Sequence, residues 1–165
     1  YYSSAMGVDM GMFYKRRDYT RVVNGRNPIV AHEYLGDSVE GKDVFVADDI
    51  IASGDSILDL AYNLKKRKAK RVFAGATFAF FTSGLDAFDK AYADGVIDHV
   101  FATNLTYTPQ AVLDRPWFSQ ADMSKYMAFV IATLNHDQSL SYLLNPWNRI
   151  EKLLTKYRAE HPYED

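Results

Sequence analysis

Along residues 8–14, Val8, Met10, Met12 and Tyr14 alternate with Asp9, Gly11 and Phe13. A period of two predicts a strand. Ahead of it, Tyr1-Tyr2-Ser3-Ser4-Ala5-Met6-Gly7 reads as the last turn of a helix stopped by Gly7. Residues 15–28 hold Lys15, Arg16, Arg17, Arg21 and Arg26 against Asp18 and close in turn dipeptides, which reads as a basic, mobile loop. A short apolar run over residues 29–35 and a turn at Glu40-Gly41-Lys42 come next. Val44-Phe45-Val46-Ala47 is then unbroken apolar chain, predicting a strand buried on both faces that stops at Asp48-Asp49.

Ile57, Leu60, Ala61 and Leu64 recur at helical spacing, and the helix they predict ends in Lys65-Lys66-Arg67-Lys68. Cations at a helix C-terminus suit its dipole, so this run reads as a solvated end and not as a nucleic-acid patch. Residues 72–81 predict a second buried strand. A helix follows that Ser83 or Gly84 opens and Gly95 closes, with Leu85, Phe88 and Tyr92 inward. Residues 96–105 predict a further short strand, and residues 109–122 an irregular segment. Its Arg115-Pro116-Trp117-Phe118 fits a contact surface or buried loop packing equally. Met127, Val130, Ile131 and Leu134 mark one more helix. Ile150, Leu153, Leu154 and Tyr157 mark a last one, whose stripe reads as core. Alternating strands and helices predict an α/β fold, a mainly parallel sheet flanked by helices with right-handed crossovers.

The 165 residues suit one folding unit, and 48% hydrophobic with 24% charged side chains is ordinary globular usage. A net charge of −2 removes any global electrostatic case for nucleic acid or an anionic membrane, so anion binding must be local. Without cysteine there is no disulfide, thiolate nucleophile or zinc ribbon. His32, His99, His136 and His161 show no metal-ligand spacing, and no metal ligand is assigned. No apolar run approaches the roughly 20 residues a bilayer requires, and a cytoplasmic location is expected.

The pattern richest in chemistry is Asp48-Asp49-Ile50-Ile51-Ala52-Ser53-Gly54-Asp55-Ser56, set between an apolar strand and a helix. In open parallel sheets ligands bind beyond the carboxyl ends of the strands. Two carboxylates delivered there can accept hydrogen bonds from vicinal sugar hydroxyls or reach Mg2+ through water. The Ser-Gly-Asp-Ser turn adds backbone N–H groups, hydroxyls and a helix N-terminus, a cradle for a phosphate monoester. An isolated acidic pair would merely cap a helix; the whole spacing argues for a site.

That spacing resembles the phosphoribosyl-diphosphate loop of type I phosphoribosyltransferases, where Thr usually occupies the places of Ser53 and Ser56. The flanks narrow the resemblance to ribose-phosphate pyrophosphokinases. They are Lys15-Arg16-Arg17, the run Gly36-Asp37-Ser38-Val39-Glu40-Gly41-Lys42-Asp43-Val44, Ala76-Thr77-Phe78, Ser83-Gly84, Thr103-Asn104 and the stretch from His136 to Leu144. The resemblance implies a type I phosphoribosyltransferase fold over residues 1–144, as the carboxyl-terminal half of a longer enzyme. Residues 145–165 would be a C-terminal helical extension packed on it. It implies transfer of the diphosphoryl group of ATP to ribose 5-phosphate, giving phosphoribosyl diphosphate, with Mg2+ accompanying ATP in the full-length enzyme, and a homo-oligomer. Asp48 and Asp49 would face the ribose. Ala52, Ser53, Gly54, Asp55 and Ser56 would hold the 5-phosphate. Lys15 and Arg17 would stabilise the transferring group as catalytic residues, Arg17 also binding substrate.

Two positions depart from the family pattern. Ala52 stands where a third aspartate is usual, and Asp55 puts a carboxylate inside a loop meant for phosphate, where like charge opposes the anion. ATP-binding elements of the family have no counterpart in residues 1–14, so the isolated chain is expected to be inactive. The alternatives are a silent regulatory relative that binds sugar phosphate or partner subunits, and a nucleobase phosphoribosyltransferase, for which no base-recognising hood is apparent. A receiver domain would need an acid at the end of the strand over residues 72–81, and there is none.

Overall fold

The structure, a computed structural model, describes residues 1–17 and 29–162. In chain order the elements are helix α1 (Tyr2–Met6), strands β1 (Met12–Arg17), β2 (Ile29–Leu35) and β3 (Asp43–Ile51), helix α2 (Asp55–Lys66), strand β4 (Arg71–Ala79), helix α3 (Asp86–Ala93) and strand β5 (His99–Thr103). Helix α4 (Gln110–Leu113), strand β6 (Phe118–Ala121) and helices α5 (Ser124–Asn135), α6 (Ser141–Leu144) and α7 (Trp147–Glu160) complete the chain. The chain divides into one unit of Tyr1–Asp37 with Ala128–Asp165 and a second of Ser38–Met127.

The second unit is a parallel sheet in the order β3-β4-β5-β6. This is the expected α/β fold. Val72, Ala74 and Ala76 of β4 and Val100 and Ala102 of β5 are buried, as are Ile57, Leu58, Ala61 and Leu64 of α2 and Phe88 and Ala91 of α3. Each large aliphatic side chain withdrawn from water in this way stabilises the fold by about 1.5–3 kcal/mol. An aromatic cluster closes the core. Trp117 is fully buried, stacks on Phe88 at 5.3 Å between centroids and meets Phe81 at 5.7 Å. Its indole N–H donates to Asp89 at 2.7 Å, and Arg115 donates to the same carboxylate. Buried packing, not a contact surface, is therefore the role of Trp117 and Phe118. Residues 109–122 are also more regular than expected, because β6 pairs with β5 from Val100↔Phe118 to Thr103↔Ala121.

β3 corrects the sequence reading twice. It runs on through Asp48 and Asp49 to Ile51, since pairing continues from Asp48↔Ala76 to Ile51↔Ala79. It is also an edge strand of its sheet, so Val44 and Val46 are half-buried and Phe45 is 50% exposed. The buried positions of β4 change parity along the strand, from Val72, Ala74 and Ala76 to Ala79 and then Phe81. Phe73 and Gly75, and later Phe78 and Phe80, thereby fall on the other face, where the Phe45 ring lies 2.5 Å from the place of a Gly75 Cβ.

In the first unit, α1 ends at Gly7 in the left-handed region (φ 68), as its sequence suggested. β1 begins at Met12 rather than Val8, and it takes in Lys15, Arg16 and Arg17, where the sequence pattern predicts loop. Antiparallel pairing with β2 from Met12↔Leu35 to Arg17↔Ile29 accounts for both shifts. The rest of the expected basic loop, residues 18–28, lies outside the described residues. Tyr1 meets Trp147 of α7 edge-on at 6.3 Å. The α7 stripe is not core: no residue of the helix is buried, and Leu153 and Tyr157 are exposed. Ile131 and Leu134 of α5 are likewise exposed, as is Met127 at the end of the second unit.

Candidate functional site

The acidic pair sits near the carboxyl end of β3, in line with Ala76 of β4. Both side chains are exposed, and the Asp49 backbone N–H donates to Asp48 Oδ1 at 2.9 Å. Among the described residues no cation pairs with Asp48, Asp49 or Asp55. After Ile51 the chain leaves the sheet, yet it stays tied to the segment following β4. Phe80 N–H donates to Ile51 C=O at 2.8 Å and Thr82 N–H to Ala52 C=O at 2.9 Å.

Gly54 then turns the chain into α2 with φ 92, and a Cβ there would stand 2.2 Å from Phe88 Cε2. Only glycine fits both the conformation and the space. The loop is thus seated directly on the core ring that stacks on Trp117. Leu58 N–H makes the first helical bond, to Gly54 C=O at 3.0 Å, so the N–H groups of Ser56 and Ile57 belong to the open helix end, where partial positive charge gathers. The Ser53 hydroxyl donates to Asp55 Oδ2 at 3.0 Å, and Asp55 N–H in turn reaches Ser53 Oγ at 3.4 Å.

The loop, acidic pair and helix end predicted from sequence are therefore contiguous. Lys15 and Arg17 lie on β1 of the first unit, opposite His32 and Ile29 in register. A neighbouring polar cluster gathers around Thr103-Asn104, which the sequence marks only as a family landmark. Thr103 Oγ1 donates to Thr77 C=O at 2.6 Å, and Asn104 Nδ2 to Asp122 Oδ1 at 2.7 Å. Met123 N–H donates to Asn104 Oδ1. Bonds from the Ser124 hydroxyl and backbone N–H, and then from Asn104, hold the Asp122 carboxyl below the usual carboxylate range. Thr-Asn directly after an apolar strand was the available signal for this cluster.

Chemically, exposed carboxylates beside an open helix N-terminus can bind a polyol on one side and an anion on the other. Among the described residues no group of three or more His, Cys, Asp or Glu could hold a metal. Two adjacent carboxylates do suit a Mg2+ that keeps several waters and is completed by phosphate oxygens. No helix among the described residues is long and apolar enough to cross a membrane.

The chain is similar to ribose-phosphate pyrophosphokinases. A ribose-phosphate pyrophosphokinase of Vibrio cholerae is 33% identical over 144 residues, 87% of this chain and 43% of the relative. One of Neisseria meningitidis is 27% identical over 143 residues, 87% of this chain and 41% of the relative. The chain thus spans less than half the length of these curated relatives. The crystal structure of phosphoribosylpyrophosphate synthetase from Mycobacterium smegmatis shares the fold, with a TM-score of 0.59 at 21% identity, covering 79% of this chain and 38% of that one. The family model described as the phosphoribosyl synthetase-associated domain matches residues 21–145, and the chain belongs to that family, that of the ribose-phosphate pyrophosphokinases.

Proposed function

We propose that this chain is the ribose 5-phosphate-binding domain of a ribose-phosphate pyrophosphokinase. The observation that supports this best is the run from the exposed Asp48-Asp49 pair through the positive-φ Gly54 into the N-terminus of α2. In the reaction, the anomeric hydroxyl oxygen forms a bond to the β-phosphorus of ATP, AMP leaves as the bridging bond breaks, and the hydroxyl proton is lost. Asp48 and Asp49 accept hydrogen bonds from the ribose hydroxyls and orient that oxygen. The turn from Ala52 to Ser56 receives the 5-phosphate. Lys15 and Arg17 neutralise charge that develops on the transferring phosphoryl oxygens. Asp48 and Asp49 would hold, through water, the Mg2+ that accompanies ATP, and that ion would supply further neutralisation. The working enzyme is a cytoplasmic homo-oligomer.

Calorimetric titration with ribose 5-phosphate tests this reading. The intact chain is expected to bind, and Asp48→Asn and Ser53→Ala to bind more weakly. The chain alone, spanning 43% of its relative's length, is expected to form no phosphoribosyl diphosphate from ATP, and detectable formation would overturn that expectation. A second reading has its own support, because Ala52 offers no side-chain acceptor and the Ser53 hydroxyl is already held by Asp55. A silent relative that binds partner subunits would give no heat with the sugar phosphate.

A further inference from the structure

We infer that Asp55 is a built-in competitor for the 5-phosphate and sets the affinity of the loop for sugar phosphates; this rests on the reading above that the loop receives that group. Three observations converge on the residue. Asp55 is the first residue of α2, the place where a helix of 12 residues best accommodates an anion. Its carboxylate accepts a hydrogen bond from the Ser53 hydroxyl at 3.0 Å, one of the two hydroxyls the loop can offer. Its own N–H is turned back on Ser53 Oγ at 3.4 Å. A donor hydroxyl is thus committed to an internal anion in the first turn of the helix, and a backbone N–H is committed to that hydroxyl's oxygen.

The loop cannot give way by rebuilding its backbone. Gly54 is wedged against the Phe88 ring, and the carbonyls of Ile51 and Ala52 are bonded to the segment after β4. With the backbone fixed, an incoming phosphate competes with the Asp55 carboxylate for the Ser53 hydroxyl and meets a like charge wherever that exposed side chain stays over the loop. Among the described residues no cation pairs with Asp55 to offset that repulsion. Coulomb repulsion at a separation of a few ångströms near a protein surface corresponds to roughly tenfold or more in affinity. The same residue that stabilises the empty loop weakens the filled one.

The test is titration of the intact chain and three variants, Asp55→Asn, Asp55→Gly and Asp55→Glu, with ribose 5-phosphate and with inorganic phosphate. Circular dichroism and a thermal midpoint report folding for each. Asp55→Asn keeps the shape and removes the charge, so it is expected to bind both ligands about tenfold more tightly than the parent chain. Asp55→Gly removes the acceptor as well and should match or exceed it, and it decides the matter if Asp55→Asn does not fold. Asp55→Glu, with charge retained, should remain as weak as the parent. Tight binding in the neutral variants alongside no detectable binding in the parent would also uphold the inference. Equal affinity in parent and neutral variants would overturn it while leaving the loop as the sugar-phosphate site. No binding by any folded variant would overturn both.

Discussion

The two ends of β3 carry carboxylates under opposite regimes. At the amino end Asp43 is locked to Arg71, whose Nε donates to Asp43 Oδ1 at 2.9 Å and whose Nη2 makes a second bond. Lys68 reaches Glu40 at 2.8 Å close by, and Lys65 lies 3.5 Å from Asp98. At the carboxyl end Asp48 and Asp49 are adjacent, exposed and without a cation among the described residues. Like charges placed together and left unneutralised do nothing for folding. Charge is thus balanced where the sheet needs only to hold together and left open where a ligand can balance it.

The sharpest way to break this contrast is to disturb the joint between site and core. Gly54→Ala adds a Cβ that meets Phe88 at 2.2 Å and forces alanine to φ 92. The expected loss is about 2–4 kcal/mol by urea denaturation, with ribose 5-phosphate binding lost in whatever remains folded. Parental stability would mean the loop is not bolted to the core. A smaller effect separates function from folding at the acids themselves. Asp49→Asn removes one of two neighbouring like charges, so its unfolding free energy should equal or exceed the parent's by up to about 0.5 kcal/mol. Its affinity for ribose 5-phosphate should fall by about tenfold. A clear loss of stability without a change in affinity would assign Asp49 to the scaffold.

Local pattern carried much of this from sequence, and distance along the chain marks where it stopped. The spacing of Ile57, Ala61 and Leu64 foretold α2, and all three are buried. The acidic strand end and Ser-Gly-x-Ser turn were readable because strand, acids and helix start are consecutive. What surrounds β3 was not, because whether Val44 and Phe45 are buried depends on strands and helices contributed from elsewhere in the chain. Asp48 and Asp49 seemed to end the strand because acids are poor strand formers, but pairing with residues 76–79 of β4 overrides that preference. Lys15, Arg16 and Arg17 read as loop because they open a basic run that closes in turn dipeptides, yet they are held in β1 by residues 29–32. The burial of Trp117 rested on Asp89, a partner 28 residues away that no periodicity reveals. Departures within the site are visible as letters, since an aspartate at position 55 opposes phosphate, but its bond to Ser53 is not.

The amino end should give the smallest and most pH-dependent effect. Bonds from Arg71, and then its charge with those of Lys70 and Lys65, hold the Asp43 carboxyl below the usual carboxylate range, although partial burial pulls the other way. A carboxyl whose value is depressed in the folded state stabilises the fold above its unfolded value, and that contribution fades as pH falls through the folded one. Both partners are more than a third exposed, with side-chain exposures of 39% for Asp43 and 52% for Arg71, so solvent screening keeps the contribution small. Asp43→Asn should therefore lie slightly below the parent and keep a constant gap across neutral pH. The gap should close under acid conditions, once the parent's Asp43 is protonated as well. It should also shrink with added salt. Ribose 5-phosphate affinity should be unchanged, because the pair stands at the opposite end of the strand from the loop. A fall in affinity with Asp43→Asn would mean that the two ends of β3 communicate, and the division between a balanced scaffold and an open site would not hold.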